Sequence, residues 1–280
     1  MKTHFRGWGI PGPVVPGTLG EGPEVEEGES LDALCGQYRM FQLKKGHRFS
    51  TDDVLTGWYG STWCPRAETI LDLGSGIGTV AMVAAWRLPG AKVVTVEAQE
   101  ESVRLARKSV AYNGLGERFD VREGDLRDEE VLGAEEKFDL VLGSPPYFPL
   151  GSGPEGDHPQ KVACRFEVRG TVADYCERAV KHMTRGGIFA CVFPVAPVEQ
   201  ERRVEAGAKA AGMTIVRKRH IALRENERPL IGVFVMMRDE DLPEDQRGKT
   251  WEEPELIIRR EDGSVHPEYA AVKMGFGFPP

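Results

Sequence analysis

From Thr69 onward, short apolar runs rich in β-branched residues alternate with stretches of helical periodicity. Seven runs are strand candidates: TILDL, KVVTVEA, FDVREGD, KFDLVLG, GIFACVFPV, MTIVRKRHIAL and LIGVFVMMR. This alternation predicts an α/β fold with a seven-stranded, mostly parallel sheet covered by helices on both faces. The last three runs follow one another with a single helix, at about 198–212, among them. We therefore expect an antiparallel hairpin at one sheet edge.

The remaining sequence predicts one domain with a tail. The chain has 280 residues, of which 40% are hydrophobic, so it can bury one sizeable core. Residues 1–30 are rich in Gly, Pro and Glu without periodicity, which predicts a flexible tail. Residues 31–280 are the predicted domain. Within it we expect an acidic loop at 239–254 and a C-terminal strand and helix at 255–280.

Composition excludes several classes of protein. No apolar stretch reaches the ~20 residues that span a bilayer, and the N-terminus has no apolar signal segment, so we expect a cytoplasmic protein without a membrane partner. The five cysteines form no C-x-x-C pair, which indicates neither disulfides nor a metal site. The net charge of −8 argues against indiscriminate nucleic-acid binding, although basic clusters occur at 39–48 and 217–224. We expect a monomer.

A glycine turn follows the first strand of the alternating region, in LDLGSGIGTV. Gly74, Gly76 and Gly78 give the spacing G-x-G-x-G, which differs from the G-x-G-x-x-G of dinucleotide-binding proteins. Glycine lets the backbone approach a ligand closely while N–H groups of the next helix point at it. A tight turn without a ligand would use the same residues.

Acidic residues close the next two strands. Glu97 ends the second strand, where a carboxylate can accept hydrogen bonds from both hydroxyls of a ribose, and Asp125 ends the third. This set resembles the S-adenosylmethionine (SAM) site of class I methyltransferases. The resemblance implies that Asp72 and the glycines face the methionine part of SAM, Glu97 the ribose and Asp125 the adenine. Ser75 and Asp53 complete the predicted cofactor-binding set.

The fourth strand ends in Ser144-Pro145-Pro146-Tyr147. The two prolines fix their own φ angles and restrict the residues before them, so the Ser144 side chain and the Pro145 carbonyl are held rigidly as hydrogen-bond acceptors. An exocyclic amine of a nucleobase is a poor nucleophile, and two acceptors would orient its lone pair for attack. Tyr147 would stack on the base. We predict that these four residues are catalytic.

The corner is similar to the D/N/S-P-P-Y/F/W signature of methyltransferases that act on adenine N6, cytosine N4 or glutamine N5. The segments GHRFSTDDVLTGW, ACRFEVRGTVADY and ELIIRREDGSVHPEYAAV accompany it in the order found in one family. From about residue 36 onward the chain resembles the bacterial valine-tRNA adenine-37 N6-methyltransferases. The resemblance implies a Rossmann-like class I domain, SAM as donor and tRNA as substrate, with Tyr147, Phe148, Lys161 and Arg165 as substrate-binding residues. It would also bring the basic residues at 217–219 to the RNA.

Three alternatives remain open. The first is a cytosine N4 methyltransferase. The family usually has Asn where this chain has Ser144, and serine at this position is better known among cytosine N4 enzymes. A planar amide fits the same corner, so a protein glutamine N5 methyltransferase or a small-molecule N-methyltransferase is a second alternative. The third is a non-catalytic scaffold that retains SAM binding.

Overall fold

The computed structural model describes residues 4–5, 7–149, 151 and 158–278. The strands in chain order are β1 (His4–Phe5), β2 (Trp8–Gly9), β3 (Glu29–Ala33), β4 (Arg39–Leu43), β5 (Thr69–Leu73), β6 (Lys92–Glu97), β7 (Phe119–Glu123), β8 (Phe138–Gly143), β9 (Met183–Pro194), β10 (Met213–Arg224), β11 (Ile231–Arg238) and β12 (Trp251–Arg259). The α-helices are α1 (Thr51–Trp63), α2 (Thr79–Arg87), α3 (Glu100–Tyr112), α4 (Pro159–Arg165), α5 (Val172–His182), α6 (Val198–Ala210) and α7 (Pro267–Gly275).

Eight strands form the central sheet, in the order β12-β10-β11-β9-β8-β5-β6-β7. The pairs from β9 through β8, β5 and β6 to β7 are parallel, whereas β11 is antiparallel to both β9 and β10. The seven predicted runs are β5 to β11. The mostly parallel α/β sheet and its antiparallel edge are therefore confirmed, but the predicted number of seven strands is one too few.

The additional strand, β12, pairs in parallel with β10. Its first residues, Trp251 and Glu252, lie opposite Arg217 and Lys218, and the Lys218 Nζ is 2.9 Å from a Glu252 carboxylate oxygen. The strand thus begins inside the segment 239–254 that was predicted to be a loop. Its acidic residues led to the prediction of a loop. In the structure, cations on the neighbouring strand β10 compensate their charge, and the local sequence of β12 does not indicate this pairing.

The segment predicted as a flexible tail packs against α3 where the structure describes it. Val15 is 2% exposed, and a Cβ at Gly17 would overlap the Tyr112 ring. Glu29 is buried and forms ion pairs with Arg104 and Lys108, both at 2.7 Å. Isolated apolar contacts and ion pairs hold this segment against α3. Such isolated contacts produce no periodic pattern in the sequence.

Helices cover both faces of the sheet. On one face α1, α2 and α3 pack over an apolar core that includes Leu55, Ile70 and Leu140. On the other, α5 and α6 cover a second core around Phe189 and Phe193. No helix among the described residues is both long and apolar enough to cross a membrane. In this arrangement the carboxyl ends of β5, β6 and β8 open at a common edge, which is where ligands bind in open α/β sheets.

Candidate active site

A cavity of about 600 Å³ lies at the carboxyl ends of β5, β6 and β8. The turn after β5, the corner after β8, the start of α1 and helix α4 surround it. Thirteen residues predicted from the sequence line it: Asp53, Gly74, Ser75, Gly76, Glu97, Asp125, Ser144, Pro145, Pro146, Tyr147, Phe148, Lys161 and Arg165. The structure thus brings the glycine turn, the carboxylates and the proline corner to one cavity.

The glycine turn shapes the floor of the cavity. Gly74 has φ +59°, and a Cβ there would lie 1.9 Å from the Tyr175 hydroxyl oxygen. Gly76 has φ +55°, and a Cβ there would meet no atom within 4 Å. The Ser75 hydroxyl is buried beside this space and has no hydrogen-bond partner among the described residues. Open space next to an unsatisfied polar group suits a polar ligand.

Two predicted cofactor residues do not line the cavity. Asp72 is fully buried, and its Oδ2 accepts a hydrogen bond of 3.0 Å from the Ala81 N–H in the first turn of α2. Gly78, with φ +87°, is the residue preceding that helix. Asp72 and Gly78 therefore connect the glycine turn to the start of α2. Burial raises the pKa of Asp72 to about 8.

Glu97 joins β6 to the glycine turn. Its Oε2 accepts a hydrogen bond of 2.9 Å from the Gly76 N–H, and its Oε1 accepts one of 2.7 Å from the Gln99 N–H. The side chain is 6% exposed, and burial raises its pKa although these hydrogen bonds oppose that shift. Each oxygen keeps a second lone pair, so the carboxylate can still accept hydrogen bonds from ligand hydroxyls.

Asp125 lies at the other side of the cavity and is bound by Arg127. The Arg127 Nη2 is 2.6 Å from the Asp125 Oδ2, and hydrogen bonding to this guanidinium lowers the pKa of the carboxyl group. Arg169, which the sequence analysis missed, also lines the cavity and acts electrostatically on both Asp125 and Glu97. This end of the cavity therefore presents acceptors and a cation together.

The proline corner lines the cavity next to α4. Pro145 and Pro146 are buried, and the Tyr147 and Phe148 N–H groups both donate to the Arg165 carbonyl, at 3.2 and 3.1 Å. The Tyr147 ring meets Phe193 and Phe148 at steep angles of 80° and 72°, so neither of these rings stacks parallel to it. A flat ligand can stack on Tyr147 in the parallel arrangement that these two neighbours do not use.

The first turn of α1 places two carboxylates beside this corner. The Tyr147 hydroxyl donates to the Asp52 Oδ2 at 2.5 Å. Asp53 closes a capping box, in which its Oδ2 accepts from the Ser50 N–H at 3.0 Å. Burial and the neighbouring Asp52 raise the pKa of Asp53 to about 7.

Basic side chains line the cavity at several points: Lys44, Arg48, Lys161, Arg165 and Arg169. We call this set the cationic rim. By contrast, the basic residues at 217–219 lie outside the cavity lining. Lys218 pairs with Glu201 and Glu252, and Arg219 with Glu268. These residues lie outside the cavity lining, so its geometry does not support their predicted contact with RNA. In addition, acidic neighbours already compensate their charge.

Sequence reasoning missed Asp52, Gln99, Cys164, Arg169 and Tyr175, which all line the cavity. Four of them lie within quoted segments: Asp52 in GHRFSTDDVLTGW, and Cys164, Arg169 and Tyr175 in ACRFEVRGTVADY. Only the closeness of those segments to the strand ends could have revealed their roles. Within the described part of the chain, no group of three His, Cys, Asp or Glu residues could hold a metal ion.

Comparison with known proteins decides the class of chemistry. Residues 61–153, which include the glycine turn and the proline corner, match the family model of the methyltransferase small domain. The chain is a methyltransferase. It is similar to the tRNA1(Val) (adenine(37)-N6)-methyltransferase of Tolumonas auensis, with 25% identity over 86% of this chain and 94% of the relative. It is also similar to the protein of that name from Pedobacter heparinus, with 29% identity over 68% and 77%.

Solved structures agree with the methyltransferase fold. A predicted O-methyltransferase from Agrobacterium tumefaciens covers 81% of this chain and 98% of its own, with a TM-score of 0.60 and 18% identity. The TYW2 protein of Pyrococcus horikoshii in complex with MeSAdo covers 75% and 71%, with a TM-score of 0.50 and 15% identity. At these identities the likeness concerns the fold.

The raised pKa values predict how the stability of this methyltransferase depends on pH. A carboxyl group whose pKa is higher in the folded state stabilises the fold when protonated, and this contribution is lost as the pH rises through the folded value. For Asp53 and Asp72 those values are about 7 and about 8. The melting temperature of the ligand-free protein should therefore fall by several degrees between pH 7 and pH 8.5, as measured by calorimetry at constant ionic strength.

Matched variants test the source of this pH dependence. The double variant Asp53→Asn/Asp72→Asn should flatten the pH dependence, because neither group can then ionise. Asp262→Asn removes an exposed carboxyl group whose pKa is lowered, and it should leave the slope unchanged. A melting temperature that is constant or rises over this interval contradicts the assignment.

Proposed function

We propose that this protein is a SAM-dependent N-methyltransferase that methylates the exocyclic N6 of an adenine in RNA, at position 37 in the anticodon loop of a tRNA. The observation that supports this function best is the position of the Ser144 to Tyr147 corner, which lines the same cavity as Gly74, Gly76 and Glu97. A methyl donor and a flat amine can meet there. We propose that residues 31–280 act as one catalytic domain.

The cofactor side of the cavity fits SAM in its donor set. Glu97 would accept hydrogen bonds from the ribose hydroxyls, and the unsatisfied Ser75 hydroxyl would bind a polar group of the methionine part. Asp125, next to Arg127 and Arg169, would bind the adenine end. SAM, when bound, supplies a methyl group activated by its sulfonium. These assignments follow the acceptors that the cavity offers.

The substrate side fits a flat amine. The Ser144 hydroxyl oxygen and the Pro145 carbonyl oxygen would accept the two amine hydrogens, which orients the nitrogen lone pair. Tyr147 would stack on the base, as single-stranded bases do on aromatic side chains. Because the base must leave its own stack to reach this corner, a loop of RNA suits the site better than a regular helix.

The cationic rim supports RNA as the partner. Positive side chains that line the cavity can bind phosphates on both sides of the target base. Lys161 and Arg165 belong to this rim, and Phe148, which is 38% exposed, is available for a neighbouring base. The relatives named tRNA1(Val) (adenine(37)-N6)-methyltransferase favour tRNA over other RNA. We place the enzyme in the cytoplasm as a monomer that binds tRNA transiently.

One labelling experiment tests the function. The purified protein is incubated with tritiated SAM and unmodified tRNA, and the digested nucleosides are analysed by mass spectrometry. We expect labelled N6-methyladenosine at a position next to the anticodon. N4-methylcytidine would overturn the choice of base, and Ser144 makes that outcome the main competitor. Label in protein but not in RNA would overturn the RNA assignment.

A further inference from the structure

Helix α6 contacts the proline corner from outside the cavity. Gln200 and Arg203 lie three residues apart on this helix, and both donate hydrogen bonds to the Tyr147 carbonyl oxygen. The donors are the Gln200 Nε2, at 3.3 Å, and the Arg203 Nη1, at 3.4 Å. Neither residue is among the described residues that line the cavity. These two side chains can therefore influence a ligand in the cavity through the corner.

Arg203 determines which end of the Gln200 amide faces the corner. A guanidinium group only donates hydrogen bonds, whereas an amide has a donor end and an acceptor end. The Arg203 Nη1 donates to the Gln200 Oε1 at 2.8 Å, which leaves the Nε2 end for the Tyr147 carbonyl. Without the guanidinium, the amide could turn over and place its oxygen against the carbonyl oxygen. Both hydrogen bonds to this carbonyl thus depend on Arg203.

The other half of the guanidinium binds the segment that pairs with the corner. The Arg203 Nη2 forms an ion pair with the Glu167 carboxylate, and the Glu167 side chain is only 9% exposed. The Glu167 N–H donates to the Phe148 carbonyl at 2.9 Å. One guanidinium therefore connects the corner to the segment that follows α4. We call Glu167, Gln200 and Arg203 the arginine clasp.

Arg203 also supports the Tyr147 ring by way of Phe193. The Arg203 Cζ lies 5.3 Å from the centroid of the Phe193 ring, which is a cation–π distance. Phe193 is fully buried, and its centroid lies 5.8 Å from that of the Tyr147 ring. Arg203 thus contacts both the backbone of Tyr147 and the ring against which the Tyr147 side chain packs.

Building on the proposed function, we propose that Arg203 is a positioning residue for methyl transfer: through the arginine clasp it fixes the corner that holds the substrate amine. The effect comes from placement, since a displacement of about 1 Å near the reacting atoms can lower a rate roughly 100-fold. Arginine suits this task because its planar fork reaches acceptors on two different segments. The single ammonium group of lysine cannot reproduce that geometry.

The variant Arg203→Lys tests the proposal. Lysine keeps a positive charge for Glu167, so the protein should fold, but it cannot bind Glu167 and hold the Tyr147 carbonyl in the same way. At saturating tRNA we expect the single-turnover rate of methylation to fall about 10- to 100-fold. The affinities for SAM and for tRNA should not change, because Arg203 does not line the cavity.

Arg202→Ala is the matched control. Arg202 is the neighbouring residue on α6, and its side chain is exposed. This control removes a whole positive charge, which Arg203→Lys does not, and the rate at saturating tRNA should nevertheless stay near that of the wild type. A wild-type rate in Arg203→Lys would overturn the proposal. A direct contact of Arg203 with an RNA phosphate would do so as well, and it would appear as weaker tRNA binding with an unchanged rate at saturation.

Hydrogen–deuterium exchange tests the arginine clasp without turnover. The N–H groups of Tyr147, Phe148 and Glu167 donate the hydrogen bonds that join the two segments. In the ligand-free protein, Arg203→Lys should speed their exchange about tenfold or more, whereas Arg202→Ala should not. Unchanged exchange in Arg203→Lys would refute the clasp. If the wild-type protein methylates no RNA, the proposed function fails, while this measurement still tests the clasp.

Discussion

Tyr147→Ala is expected to lower kcat/KM for RNA methylation about 10- to 100-fold, which corresponds to the loss of one base stacked on an aromatic ring. The ring is held on two sides, by the hydrogen bond from its hydroxyl to Asp52 and by the edge contact with Phe193. Its orientation is therefore fixed before the substrate binds. SAM affinity, measured by calorimetry, should change little because Tyr147 lies on the substrate side.

Tyr147→Phe is the matched control for this prediction. It keeps the ring but removes the hydroxyl that donates to Asp52, a neutral-to-charged hydrogen bond at the edge of the cavity. We expect it to lose less than about tenfold. If Phe and Ala at this position are equally impaired, the link to Asp52 matters and stacking does not. If neither variant is impaired, the corner is not the substrate site.

Gly74→Ala is expected to destabilise the protein by about 2–4 kcal/mol, the range of an overpacked or strained core position. The new Cβ would lie 1.9 Å from the Tyr175 hydroxyl oxygen and 2.9 Å from its ring carbon Cζ. Tyr175 is 4% exposed and cannot move aside easily. Alanine must also adopt a left-handed φ of +59°. Chemical unfolding measures the loss, and Tyr175→Phe in the same chain should restore part of it.

Gly76→Ala provides the comparison that separates strain from ligand contact. Its φ of +55° imposes a similar backbone cost, about 1 kcal/mol, but its Cβ would meet no protein atom within 4 Å. The loss of stability should therefore be smaller than for Gly74→Ala. SAM binding should nevertheless weaken at least tenfold, because the methyl group enters the space that we assign to the cofactor. Unchanged SAM affinity would place the cofactor elsewhere.

Local pattern was sufficient to predict much of the fold. The seven runs from TILDL to LIGVFVMMR all became strands, because apolar β-branched runs between helical stretches have few other ways to bury their side chains. The glycine turn and the carboxylate of Glu97 reached one cavity for the same reason, since the carboxyl ends of neighbouring parallel strands share an edge.

The parts that could not be predicted depend on contacts between distant segments. Asp52 and Tyr147 are 95 residues apart, and nothing local in either segment indicates the other. The same is true of the contact between Tyr175 and Gly74. It is also true of the first part of β12, residues 251–254, which were predicted to be loop but pair with β10. Asp72 shows the converse, because its motif suggested a ligand contact while its carboxylate binds α2.

The compensation of charges along β10 and β12 has a consequence for how a polyanion approaches this enzyme. Because the net charge is −8 and Lys218 and Arg219 are paired with carboxylates, we expect phosphate groups to be attracted mainly at the cationic rim. The negative net charge should discourage a polyanion from approaching elsewhere on the surface, while the cationic rim attracts it to the cavity. Orientation is thus selected before contact, at the expense of overall affinity, and added salt should weaken the guidance and the repulsion together.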